Sequence, residues 1–339
     1  MFLKTSWLVF LAAVCLNGHA ANSEYMLKAK FAIGGEGGWD YLTYDPTANR
    51  LFIARGNRVQ VINPDTGALL GEIPDTPGVH GVALAPDVDK GFTSNGRDNS
   101  VTVFDLTTLR TLRTIKTPNG ENPDFINYDA ASRQIFAFNG RSHNATVIDA
   151  LTDRLVATVA LSGKPEAAVA DGQGKVFVNI EDRNEISVID AASAKVSASW
   201  ALKGCDEPAG LAIDTQTHRL FVGCHNKTLL VVDADLGKVI ASLPIGAGVD
   251  ANAFDPQTHN VFSSQGDGTL TIIKASAGDK FNVIQNAITA PGARTLALNP
   301  TNHAVYLVSA EFNPAVEGQQ RRSMKPGSFT LLVMKPAEN

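Results

Sequence analysis

The chain of 339 residues is poor in charge, with 19% Asp, Glu, Lys and Arg, and has only three cysteines and three tryptophans. Three cysteines cannot build the dense disulfide frame of a small secreted module. None stands in a C-x-x-C-H arrangement, which excludes covalent haem attachment. No Gly-rich phosphate loop ends in Gly-Lys-Ser/Thr, no dinucleotide fingerprint opens a helix, and no nucleophile elbow is present, so three large enzyme classes lose their signatures. A basic surface is also missing. Lys and Arg number 29 against 34 Asp and Glu, a formal net charge of -5. That balance disfavours nucleic acid as the main partner, because phosphate binding needs excess positive charge. No apolar run is long enough for a membrane span.

The one concentrated apolar segment is at the N-terminus, and it has the form of a secretory signal over residues 1–20. Lys4 supplies the positive start, Trp7 to Leu16 the apolar middle, and Gly18-His19-Ala20 the small residues of a cleavage site. Cys15 would be a lipidation site, but Val14 stands where such a site needs a small residue. The expectation is a periplasmic or secreted protein with no transmembrane segment after cleavage.

What the chain has in abundance is a repeated phrase. It is clearest at Val231-Val232-Asp233-Ala234-Asp235-Leu236-Gly237, where an apolar run reaches an Asp and turns. It recurs with Val59 to Gly67, Val101 to Thr107, Ala145 to Asp149 and Ile186 to Asp190. The spacing of roughly 42 residues falls in the range of propeller blades. Each copy alternates apolar and polar residues over strand length, as the outer hairpin of a blade does. Seven units follow one another. Their inner strands are expected near Trp39, Val79, Pro123, Pro165, Pro208, Val249 and Ala293, and their second strands carry Phe52, Phe92, Phe136, Phe177, Phe221, Phe262 and Tyr306 at one equivalent position. One aromatic per unit is a packing signal between sheets. The seventh unit stops at Met334 without a fourth strand, and an orphan strand, Tyr25 to Ile33, precedes the first unit. The sequence therefore predicts an all-β, seven-bladed propeller of four-stranded blades over residues 24–335. The N-terminal strand completes the last blade, and residues 336–339 form a polar tail.

These phrases, with segments such as Ala168 to Asn179, resemble the YVTN-repeat, YncE-like family of seven-bladed propellers over essentially the whole chain. The tetrapeptide itself is degenerate here, as Phe177-Val178-Asn179 and Phe221-Val222-Gly223. The resemblance implies the fold and export. It does not fix an activity, because the family is functionally mixed; DNA binding is known within it.

In a propeller the inner strands line a central channel. Aligning the seven gives one column: Asp40, His80, Asp124, Glu166, Ala209, Asp250 and Arg294. Six of the seven are ionisable, so charge is expected at one rim of the channel as a candidate ligand site. The ends of the second strands add Arg55, Glu181 and two copies of one loop, Asn95-Gly96-Arg97 and Asn139-Gly140-Arg141. Asn-Gly is a favoured turn. The arginines would suit a carboxylate or phosphate. Gly34 to Gly38 is glycine-rich, but it precedes a strand rather than a helix and makes a weak phosphate cradle. The seventh unit carries a long insertion at 310–328, which could serve as a lid or hang loose.

Two readings of function follow. The first is an exported propeller that binds a small ligand or a protein partner at its charged face. The second is a metal-dependent hydrolase or lactonase with Asp40, Asp124, Glu166 and Asp250 as ligands or general bases. Carboxylates would suit Ca²⁺ or Mg²⁺, and His80 beside them Zn²⁺. Cys205 and Cys224, 19 positions apart, fall on the same face and would pair after export. The alternative is a reactive thiol or a thiolate metal site with His225.

Overall fold

The structure, a computed structural model, describes residues 24–314 and 323–337. The expected signal segment, the middle of the 310–328 insertion and the last two residues of the tail lie outside the described residues.

Among the described residues the chain forms seven four-stranded antiparallel sheets. In the first six blades the strands run inside to outside in chain order. The outer turns show why the repeated phrase needs its Asp. The carboxylates of Asp105, Asp149 and Asp190 each accept the backbone N–H three residues on, from Thr108, Thr152 and Ser193. Such turns are the local alternative to ladder bonding that Asp side chains offer.

The seventh blade is completed from the other end of the chain. Tyr25–Ala32 pairs antiparallel with Thr330–Pro336, in register from Tyr25 opposite Pro336 to Ala32 opposite Thr330, with a bulge between Leu27 and Ala29. The N-terminal strand thereby covers an edge that would otherwise be open. Tyr25 fastens this strand to blade six as well. Its N–H donates to Gln285 Oε1 at 2.8 Å, its carbonyl accepts from Gln285 Nε2 at 2.8 Å, and its ring meets Phe262 edge-on at 5.0 Å.

The core lies between blades. Phe52, Phe92, Phe136, Phe177, Phe221, Phe262 and Tyr306 are all buried. Each packs against the next blade in the ring: Phe221 of blade five, for example, contacts Val249, Val261 and Ile273 of blade six. Tyr306 of blade seven closes the circuit on Leu42, Leu51 and Ile53 of blade one. Cutting such a buried aromatic to Ala costs about 3–5 kcal/mol.

The inner strands depart from expectation in two blades. Those of blades one and seven begin at Leu42 and Leu296, three residues after the expected Trp39 and Ala293. In the other five the strand begins as expected, but its pairing breaks at once. The register shifts between Val79 and Val82, Pro123 and Ile126, Pro165 and Ala168, Pro208 and Leu211, and Val249 and Ala251. The residues inside those breaks include five of the seven column positions, His80, Asp124, Glu166, Ala209 and Asp250. A bulge frees a residue from the pleat and re-aims its side chain, and here it does so at the mouth of the channel.

Candidate functional site

The column residues meet across blades. His80 Nδ1 lies 2.6 Å from Asp40 Oδ2 and 3.5 Å from Asp124 Oδ1. Arg294 Nε lies 2.7 Å from Asp250 Oδ2. The Tyr41 hydroxyl reaches from blade one to blade four and donates to Glu166 Oε1 at 3.1 Å. Beneath this rim the rings of Tyr41 and Phe125 meet edge to face at 5.0 Å. They line a narrow cavity of about 170 Å³ together with Gly81, Ala167, Leu211 and Ala251. The column is therefore a charged cup above an apolar plug. Blade five contributes the buried Ala209 to the column, and its Glu207–His225 pair stands beside Glu181.

The rim is held by its backbone. The carbonyls of five column residues accept hydrogen bonds from the preceding blade. Thr295 Oγ1 donates to Asp40 at 3.0 Å, Tyr41 N to His80 at 3.1 Å, and Asn179 Nδ2 to Ala209 at 2.9 Å. Ser94 Oγ donates to Asp124, and Ser264 Oγ to Arg294. Groups fixed in this way lose little freedom when a ligand arrives. The serines carried no signal in the sequence, because a hydroxyl in a strand reads as ordinary polar alternation.

Lys164 was also missed. It stands in the loop entering blade four, contacts Glu181 and lies 3.5 Å from Glu166 Oε2. A lysine two residues before a column carboxylate, with proline between, is the only hint the sequence offered.

Burial and mutual repulsion shift the protons of the cup. Burial, then the charge of Asp124, pushes Glu166 up to about 8. Burial also raises Asp250 to about 6 against the pull of Arg294, and raises Asp124 against the pull of His80. Burial alone would lower His80, but the bond to Asp40 and the charges of Asp124 and Asp40 outweigh it and lift the imidazole to about 9. His80 is thus an imidazolium at neutral pH, seated between two carboxylates. Clustered perturbed groups in a cleft are a mark of functional sites.

The remaining candidates separate. Asn95 and Asn139 are fully buried. Their amides brace the third strand, Asn95 through Ser100 and Thr102, Asn139 through Asn144 and Thr146. They have no surface to give a ligand, which corrects their place in the candidate site. The left-handed residues of these turns are Asn99 and His143, not the glycines. Gly96 has another reason to lack a side chain: a Cβ there would lie 2.8 Å from His80 Nε2. Arg97 and Arg141 are exposed and, among the described residues, form no ion pair. Arg55 turns away from the mouth and is fully buried under the Gly34–Gly38 loop, where its guanidinium donates to Gly35 at 2.9 Å and Gly37 at 2.6 Å. The loop presents carbonyls to a cation, so it is the reverse of a phosphate cradle.

Cys205 and Cys224 form a disulfide, which removes the thiolates that a metal site with His225 would need. His225 faces Glu207 at 2.9 Å and binds the Val249 carbonyl through Nε2 at 3.2 Å. Among the described residues two groups of donor atoms are compact enough for a metal ion: Asp40, His80 and Asp124, and, nearer the surface, Glu181, Glu207 and His225. Among the described residues no helix is long and apolar enough to cross a membrane.

No family model matches the chain, and no curated protein matches it. Among solved structures it is similar to a chain of "Crystal Structure of Mitotic Checkpoint Complex". The TM-score is 0.75 at 15% identity, over 99% of this chain and 100% of that one. A likeness at that identity shows the propeller fold alone.

Proposed function

We propose that this is an exported binding propeller whose channel mouth holds the positively charged group of a small ligand. One observation carries the reading: among the described residues the cup has more carboxylates than cations. Asp40, Asp124, Glu166, Glu181 and Asp250 face His80, Lys164 and Arg294, and each of those cations is already engaged. Burial first, and then the neighbouring carboxylates, raise the proton affinities of Glu166, Asp124 and Asp250. An added cation would relieve the repulsion in a site shielded from water, where charge pairs are stronger than at the surface. The repeat phrases support a YVTN-type propeller, and the disulfide supports an oxidising compartment, periplasmic or extracellular. Calorimetry with putrescine at pH 7 tests the reading. Asp124→Asn should bind it at least about tenfold more weakly than the parent, a loss of about 1.4 kcal/mol. Equal affinity in the two proteins would remove the case for this face.

The hydrolase reading keeps one specific support, the donor atoms of Asp40, His80 and Asp124 within 4.8 Å of one another. A metal there would have to displace the proton that His80 holds against Asp40. Zinc affinity that rises steeply toward pH 9 and disappears in His80→Ala would favour it over the amine reading.

A further inference from the structure

Beside the cup lies a second cavity of about 710 Å³. Its wall is made by Trp39, Gly38, Gly292, Arg294, Phe312 and Met324. It has the size of a small-molecule site, and such sites are mostly apolar with a few placed polar groups. The aromatic wall is fixed before any ligand arrives. Trp39 packs on Phe329 at 5.4 Å and on Phe312 at 6.0 Å between ring centres. Phe329 is buried and is itself capped by the Arg55 guanidinium at 3.7 Å. Phe312 and Met324 are bridged as a short antiparallel pair at the base of the blade-seven insertion, and Asn313 N donates to the Ser323 carbonyl at 2.9 Å beside them.

Phe312 nevertheless leaves 41% of its surface in water. Its face serves neither the blade core nor the ring closure. The cavity and the cup are contiguous at two points. Trp39 is followed directly by Asp40 of the rim, and Arg294 lines the cavity while its Nε holds Asp250. The pairing with Asp250 offsets the charge of Arg294, so the passage between cavity and cup does not repel a cation.

We propose that the Trp39–Phe312 cavity is the apolar half of one two-part site, taking a flat aromatic group whose short side arm carries an ammonium into the carboxylate cup. The class of ligand is an arylalkylamine. The inference rests on the reading of the cup as a cation site and adds the ring pocket to it. A ring against Trp39 and Phe312 gains burial and edge or offset stacking, and the ammonium meets Asp124, Glu166 and Asp250.

Three probes separate the halves: phenethylamine, ethylamine with the charge alone, and benzyl alcohol with the ring alone. Binding is read by calorimetry at pH 7, and occupancy of the ring pocket by the emission of Trp39, assigned by difference against Trp39→Phe. Phenethylamine should bind at least tenfold more tightly than either half and should move the Trp39 emission. Phe312→Ala, at an exposed position, should reduce phenethylamine to the affinity of ethylamine. Asp124→Asn should reduce it to the affinity of benzyl alcohol. If ethylamine binds but benzyl alcohol leaves Trp39 unchanged, the ring pocket is refuted and the cup survives. If benzyl alcohol moves Trp39 but no amine gains by its charge, the cup fails and the two-part ligand fails with it. Phenethylamine that binds Phe312→Ala and the parent equally overturns the inference.

Discussion

The Arg55 guanidinium sits 3.7 Å over the ring of Phe329, and no carboxylate pairs with it among the described residues. Its other partners are Gln60 Oε1 at 3.1 Å and a fan of backbone carbonyls from Gly34 to Gly38. Burial lowers its proton affinity, to about 10, so the charge persists at neutral pH. One side chain thus joins three things: the second strand of blade one, the loop that leads into the rim at Asp40, and the aromatic floor under Trp39.

Replacing Arg55 with Met should release that loop. Carbonyl bonds to a charged donor are worth about 1.5–3 kcal/mol, and the exposed loop can return its own carbonyls to water. Arg55→Met should therefore lose about 2–4 kcal/mol in urea unfolding and gain protease cleavage within residues 34–38. An unchanged midpoint and cleavage pattern would show that the loop is held by something else.

The ring closure gives a second expectation. Removing residues 24–34 exposes the full edge of Thr330–Pro336 and takes away the Tyr25 contacts with Gln285 and Phe262. The truncated protein should aggregate or melt far below the parent. Light scattering and a melting curve check this: a monomer with the parent's melting temperature would mean that the pairing contributes nothing to closure.

The cup makes stability depend on pH with a definite sign. Glu166 is raised from 4.5 to about 8, and His80 from 6.5 to about 9. Both bind their protons more tightly folded than unfolded. Their contributions are complete below the unfolded values and are lost as pH rises through the folded ones. The melting temperature should fall from about pH 5 to about pH 9. In Glu166→Gln the fall should be shallower up to pH 8, leaving the variant more stable than the parent above it. Superimposable profiles would contradict the burial of the Glu166 carboxyl in the cup.

Much of the architecture was legible because it repeats. A phrase that returns every blade, one aromatic per second strand and a missing last strand together specify seven sheets and their closure. The reason is that each blade needs the same turn, the same inter-sheet filler and a covered edge. The column of Asp40, His80, Asp124, Glu166, Asp250 and Arg294 was also visible by alignment of the repeats. The sequence could not say which of the neighbouring polar residues face the cup. Asn95, Asn139 and Arg55 look like rim residues in sequence, yet all three are buried and bonded within the fold. A side chain at a strand end can turn either way, and only the bulges and the contacts between blades decide which. Those same contacts set the charge state of His80 and Glu166, because burial and repulsion between residues far apart in sequence arise only when the ring closes.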